Sequence, residues 1–504
     1  MKYLKYMLSL LLVVTISSCD EFLTESPQQS LPLEGGISTV EDIENLLNGA
    51  YNDVQDGDII GSQSLVFSEI TTDNTVWTGS FPTYVNISEL DMDPTNGSIA
   101  GQWNDYFDAT NSLNIILANI GDIDDPNLTD QRADAIRGQA LFLRGLLYFS
   151  GVRYFGLPWS TGNNSSNLGL PIRTEPVASS DDFQNPSRAT VAETYAQAVG
   201  DLQEAANLLP PGGLGEGRAN SLAATALLSR IRLGQAQYPA AADLAGQVIS
   251  SGNFSLDESV LPLWRTEQTG EQIFSIIHTP QDNPGINNSL PAFYAIQGRD
   301  DIQISQSFLD AADEIVNDRQ QATLDAAGQT VVDTRISLLV SVGDDGVPTA
   351  SIDNSLKYDD GISTADNAVV IRYPEMLLTR AEGLARTSTT VADVPQEVFN
   401  LVNQVRRRAL VVNNAAGEDA SSEAAIDYTR ADFASLQELI DAIVLERRIE
   451  LAFEGQRLWD LLRLRMSVKG MPFDSDRITF PIPQTEIDAN PNIEQNNAYD
   501  VGGS

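Results

Sequence analysis

Apolar residues recur along most of this chain at every third or fourth position, the spacing that lines one face of a helix. Over 38–54, Val40, Ile43, Leu47, Ala50, Tyr51 and Val54 keep that period, and Ser38 with Glu41 forms a capping box that starts the helix. Over 102–120 the face carries Trp103, Tyr106, Thr110, Leu113, Leu117 and Ile120; over 129–154 it carries Ile136, Ala140, Leu143, Leu147 and Tyr148. Gly138, Gly145 and Gly151 on the third helix leave room for a close neighbour. Thr190 and Glu193 cap a fourth helix, which Pro210-Pro211-Gly212-Gly213 stops.

Two later segments read as helix–turn–helix units. In 220–252, helices at 222–235 and 241–250 flank a turn at Tyr238-Pro239, and Gly252 follows. Its length of about 34 residues and its alternation of Ala and Leu resemble a tetratricopeptide repeat, with Ala245 where a larger residue is usual. Residues 374–386 and 395–409 make a similar pair, each helix opening on Pro. The pattern predicts a mainly α, tetratricopeptide-like helix-pair scaffold, interrupted by long irregular insertions and a few short strands.

The stretch 446–463, ERRIELAFEGQRLWDLLR, differs in kind. Ile440, Ile443, Val444, Leu451 and Ala452 make an apolar stripe, beside which Glu446, Arg447, Glu450 and Glu454 are spaced for opposite charges to meet. Gly455 is a stop signal, after which Trp459, Leu461, Leu462 and Leu464 resume the apolar face. This reads as a partly buried helix whose ion pairs hold its end against the core.

Charge narrows the function. Asp and Glu number 70 against 30 Lys and Arg, for a net −40, so the surface repels phosphates and a nucleic-acid partner is excluded. Lysine occurs only at positions 2, 5, 357 and 469, a balance that suits a surface exposed to high salt. Residues 1–18 read as a secretory leader: Lys2 and Lys5, an apolar run from Leu8 to Val14, then Ser17-Ser18. Cys19, the single cysteine, follows in the manner of a lipobox and is the expected lipidation site. The Ser-, Pro- and Gln-rich residues 19–33 then read as a flexible tether ahead of one domain spanning 34–504.

Several segments taken together resemble the SusD/RagB family of nutrient-capturing surface lipoproteins. They are ERRIEL-FEG-R-WDL, Arg144-Gly145-Leu146-Leu147-Tyr148, Arg153-Tyr154-Phe155-Gly156-Leu157-Pro158, Ile371-Arg372-Tyr373-Pro374-Glu375-Met376-Leu377-Leu378, Phe480-Pro481-Ile482-Pro483 and Asn490-Pro491. The resemblance implies four helix pairs within 38–254 and 367–465, the first two being 38–54 with 102–120 and 129–154 with 190–209. It implies display on the outer membrane through Cys19, with Asp20-Glu21 beside it as in surface-exposed members. The implied partner is a SusC-like TonB-dependent outer-membrane barrel, and the implied ligand is a glycan, or alternatively a peptide.

Ligand contacts are expected from the insertions 71–96 and 279–301, which join aromatic rings to amides and carboxylates, the combination that holds sugars. The candidates are Asp73, Asn74, Trp77, Tyr84, Phe293, Tyr294 and Arg299, with Trp77 and Tyr294 first. Trp103, Trp159, Trp264 and Trp459 read as structural. An enzyme is disfavoured: His278 is the only histidine and sits in an apolar run, so a triad or a histidine metal site would have to be built around that residue alone. No carboxylate pair stands out for glycoside hydrolysis, the remaining catalytic alternative. No cofactor or metal motif is found, and Gly343-Asp344-Asp345-Gly346, Asp122, Asp124, Asp125 and Asp359-Asp360 read as solvated turns.

Overall fold

The computed structural model describes residues 37–177, 182, 184–265, 269–337, 339–340, 355–414 and 425–499. The leader, Cys19, the tether and the Gly343-Asp344-Asp345-Gly346 turn lie outside the described residues. Among those residues no helix is long and apolar enough to cross a membrane.

The helical period becomes four antiparallel pairs. They are α1 (Val40–Gln55) with α2 (Gly97–Asn119), α3 (Asp130–Phe155) with α4 (Val191–Leu208), α5 (Ser221–Gly234) with α6 (Tyr238–Ser250), and α7 (Tyr373–Arg386) with α8 (Gln396–Ala409). Each helix also packs on the next pair, and α6 meets α7 although residues 251–372 intervene. The long insertion is therefore looped out without breaking the stack. A Cβ on Gly138 would lie 2.7 Å from Leu209 Cγ, and one on Gly145 would lie 2.8 Å from Leu202 Cγ. Those glycines let α3 and α4 touch as the sequence predicts.

Most boundaries hold, with four shifts: α2 begins at Gly97, five residues before the expected start, because the Asn96 side chain accepts from the Ser98 and Ile99 amides. The first cap is Thr39 with Asp42, not Ser38 with Glu41, because the Val40 amide donates to Asp125 Oδ2 at 3.0 Å and fixes the start one residue later. Tyr238-Pro239 is the first turn of α6 and not a loop before it, since Pro needs no amide partner there. Pro395 likewise caps α8 from outside.

The C-terminal signature forms α9 (Leu436–Glu450), which packs on α7, and α10 (Arg457–Arg463). Gly455 between them has φ +71°, and a Cβ there would meet Leu65 Cα at 2.9 Å. Close approach and a left-handed backbone both require glycine at this position. Glu446, Arg447, Glu450 and Glu454 are all buried, more deeply than the sequence reading expects. Among the described residues the strands form three two-stranded antiparallel ribbons: β1 (Thr75–Trp77) with β3 (Ile302–Ile304), β2 (Gln272–Ile276) with β5 (Ala368–Arg372), and β4 (Gln329–Asp333) with β6 (Leu410–Asn414).

Candidate functional site

The two aromatic insertions, far apart in sequence, meet through the β1–β3 ribbon, where Trp77 stands opposite Ile302 and Thr75 opposite Ile304. β-Branched residues and an aromatic favour extension in both short segments. After β1 the chain turns at Gly79, where a Cβ would lie 2.5 Å from Trp77 Cζ2 and 2.6 Å from Asp301 Oδ1. Only glycine lets the turn close on the indole. Pro82 then opens a short helix, Pro82–Ser88, that carries Tyr84 back beneath the strand. Trp77 stacks on Tyr84 with centroids 5.0 Å apart and planes 19° from parallel. Phe293 from the second insertion backs both rings, 5.4 Å from Tyr84 and 6.3 Å from Trp77.

Arg299 ties the cluster together. Its guanidinium lies 4.8 Å from the Phe81 ring and 4.6 Å from the Phe293 ring. Its Nε donates to Asp301 Oδ2 at 2.7 Å, and Nη1 donates to the Asn287 carbonyl. The ion pair holds the cation in a plane from which it braces both insertions. The resulting surface has Phe81 exposed and Trp77 half-buried, with Tyr84 and Phe293 buried as an inner layer. Val76 belongs to the same ribbon and Ile286 lies in the second insertion; both side chains are exposed. An exposed ring beside a braced indole offers the apolar faces on which sugar C–H groups stack.

Three candidates take other roles. Tyr294 is 1% exposed and packs on Tyr358 at 5.4 Å, so its ring cannot reach a ligand. The helix Leu290–Tyr294 is buried on every side, and five residues carry no period from which to tell Phe293 from its neighbour. Asn74 is enclosed: its Nδ2 donates to Glu69 Oε2 at 3.3 Å, and its Oδ1 accepts from Arg448 Nε at 2.9 Å. Asp73 is forked by Arg457, with Nε and Nη2 each at 2.8 Å. These two anchor the first insertion on α9 and α10 through Arg448 and Arg457. Tyr84 and Phe293 are in the cluster as support and not as contact surface. Phe81 is the residue that sequence reasoning underrates, and only its exposure distinguishes it.

The remaining tryptophans divide. Trp103 and Trp264 are buried as expected. Trp159 and Trp459 are half-buried around Arg153, whose guanidinium lies 4.4 Å from the Trp459 ring and 4.3 Å from Phe149. They line one pocket together with Arg153, Tyr195 and Leu462. His278 is buried, with Nδ1 2.9 Å from the Asp366 carbonyl oxygen. Burial depresses its pKa and keeps the imidazole neutral.

Comparison with known proteins agrees with this architecture. Residues 21–233 match a SusD-like family model described as starch-binding and associating with the outer membrane, and residues 350–477 match the SusD family model. SusD-like protein P2 of Formosa agariphila is 24% identical, over 97% of this chain and 98% of its own. A putative sugar binding protein of Bacteroides vulgatus superposes with a TM-score of 0.73 at 25% identity, covering 92% of this chain and 99% of that one. A SusD superfamily protein of Bacteroides thetaiotaomicron gives 0.75 at 24% identity, covering 91% and 99%. Helix pairs, looped-out insertions and the buried C-terminal signature thus coincide with matches along nearly the full length, and the chain belongs to the SusD/RagB family.

Proposed function

We propose that this protein is a non-catalytic surface receptor that captures oligosaccharides on the Trp77–Phe81 face and passes them to a TonB-dependent outer-membrane barrel. The lipid on Cys19 is its anchor in this reading. The observation that carries it is the meeting of 71–96 and 279–301 in one aromatic surface braced by Arg299. The family model's starch-binding description supports a glycan as the cargo. The mechanism is equilibrium binding: the rings hold sugar faces by stacking, and repeated weak contacts along an oligomer raise retention. No bond in the ligand is made or broken.

Exposed Val76, Ile286 and Ile296 favour an apolar peptide as the second reading. Calorimetry and affinity electrophoresis of the purified chain against panels of polysaccharides, oligosaccharides and peptides decide between them. Phe81→Ala is expected to weaken the preferred ligand about tenfold, a loss of ~1.4 kcal/mol, without changing the melting temperature. Trp77→Ala is expected to weaken it further. Unaltered binding by both variants overturns the site, and turnover of any panel member overturns the receptor. Co-purification of a barrel partner from membranes tests the handover.

A further inference from the structure

We infer that the pocket around Arg153 binds a carboxylate, borne on an acidic sugar or on a small organic acid. Phe149 and Arg153 reach it from α3, Tyr195 from α4 and Trp459 from α10, while Trp159 follows the Leu157-Pro158 turn. Neither aromatic insertion enters it. The pocket is therefore separate from the Trp77–Phe81 face and independent of the glycan reading.

The group that needs a partner is Arg153. Its guanidinium lies 4.3 Å from the Phe149 ring and 4.4 Å from the Trp459 ring. Among the described residues it has no hydrogen-bond acceptor and no carboxylate, and its Nε is buried in that state. The rings attract the cation but offer no lone pair to its N–H groups. A buried donor left unpaired costs free energy that a bound anion would return.

The neighbouring charges isolate this cation. Three more arginines line the pocket, and each is already matched. Arg230 meets Glu375 at 2.6 Å, Arg447 meets Asp460 at 3.0 Å, and Arg463 meets Glu382 at 2.6 Å and Asp460 at 2.7 Å. Asp460 is the one carboxylate residue in the lining among the described residues, and arginines other than Arg153 hold it. In a chain of net charge −40, the pocket keeps an uncompensated positive charge. Burial, then the neighbouring Arg230, lower the pKa of Arg153 to about 10, so it stays protonated at neutral pH.

Those features select the ligand. A lone unmatched cation suits a monoanion, and the planar fork of a guanidinium fits a carboxylate through two parallel bonds. Arg153, Trp159 and Trp459 are each half-buried, so the pocket opens to solvent. The two indoles add flat apolar faces on which the body of an acidic sugar can stack. The walls are fixed in advance: Trp159 packs edge-on against Tyr195 at 4.9 Å, and Ser160 Oγ donates to the Leu462 carbonyl at 2.7 Å.

The test titrates the whole chain with sodium glucuronate, sodium acetate, glucose and sodium sulfate at constant ionic strength, followed by calorimetry and tryptophan fluorescence. Glucuronate and acetate are expected to saturate one site and to shift the emission, because Trp459 lies against Arg153. Glucuronate bound about tenfold more tightly than acetate assigns an acidic sugar, and equal affinity assigns a small organic acid. Arg153→Gln is expected to weaken both about tenfold or more. Arg153→Lys keeps the charge without the fork, is expected to weaken both severalfold, and serves where Arg153→Gln fails to fold. No saturable carboxylate response in the native chain, tighter binding of sulfate, or unchanged affinity in the Arg153 variants overturns the pocket. A glucuronate response that Trp77→Ala removes belongs to the aromatic face and overturns it as well.

Discussion

Glu446 and Glu450 on α9, with Glu454 just beyond it, enter the core and each meets cations; Asp56, Asp58 and Asp105 gather where there are none. Glu446 is held by Arg335 at 2.6 Å and Arg406 at 2.9 Å. Glu450 meets Arg372 at 2.6 Å, Arg335 at 3.2 Å and also Arg408. Glu454 meets Lys357 at 2.6 Å and Arg372 at 2.7 Å. Burial alone would raise the Glu450 carboxyl, yet Arg408, Arg372 and Arg335 hold it well below the usual carboxylate range. In the aspartate cluster burial and like charges act together, and the carboxyl of Asp105 rises. Burial does not decide whether a carboxylate stays ionised; its partners do. In a chain with 70 acidic and 30 basic residues, many of the arginines are placed against carboxylates of the core.

Breaking the matched network should give the largest effect. Arg372→Ala removes the one cation shared by Glu450, Glu454 and Glu271, leaving them to Arg335, Arg408 and Lys357, and a loss of ~3–5 kcal/mol in chemical denaturation is expected. A loss below about 1 kcal/mol would mean that the network contributes only shape. Acid should come next. Burial opposes ionisation of Asp460, but Arg447 and Arg463 hold its pKa at about 2. A depressed folded value contributes stability that is complete above the unfolded value of about 3.9 and disappears as pH falls through the folded one. Melting temperature should therefore drop steeply from about pH 4 downward.

Glu69 gives the opposite sign. Burial raises it to about 7, against hydrogen bonds from Asn74 and the Gly455 amide. Its contribution is complete at acid pH and is lost as pH rises through about 7, so Glu69→Gln should flatten the stability profile between about pH 5 and 8. An unchanged slope in that variant would place the titration elsewhere. The smallest effect belongs to the exposed pair Arg477–Asp91, at 3.3 Å: Arg477→Ala should stay within ~0.5 kcal/mol in the same denaturation assay. A larger loss there would show that pairing matters without burial.

Much of this was legible in sequence wherever the cause is local. The Thr190–Glu193 box, the α3 glycines and the two later helix pairs follow from spacing alone, because a helix face repeats within a few residues, whereas the pairing of the first four helices rests on the family resemblance. The first cap shows the limit: Ser38-Thr39-Val40-Glu41-Asp42 holds two overlapping boxes, and a contact from Asp125 selects the second. The insertions were recognisable by composition, and they do come together. Which rings face out was not readable, since Tyr294 is claimed by Tyr358 and Asp73 by Arg457, partners remote in the chain. The aspartate cluster was hidden for the same reason, because Asp105 is brought to Asp56 and Asp58 only by the docking of α2 on α1.

The three-residue ribbon of β1 and β3 has an evolutionary consequence. It lets two excursions from unrelated points of the helical stack behave as a single exchangeable cassette. Replacement of both tips would change the exposed aromatic surface while the solenoid beneath keeps its shape, so variation there need not cost foldability.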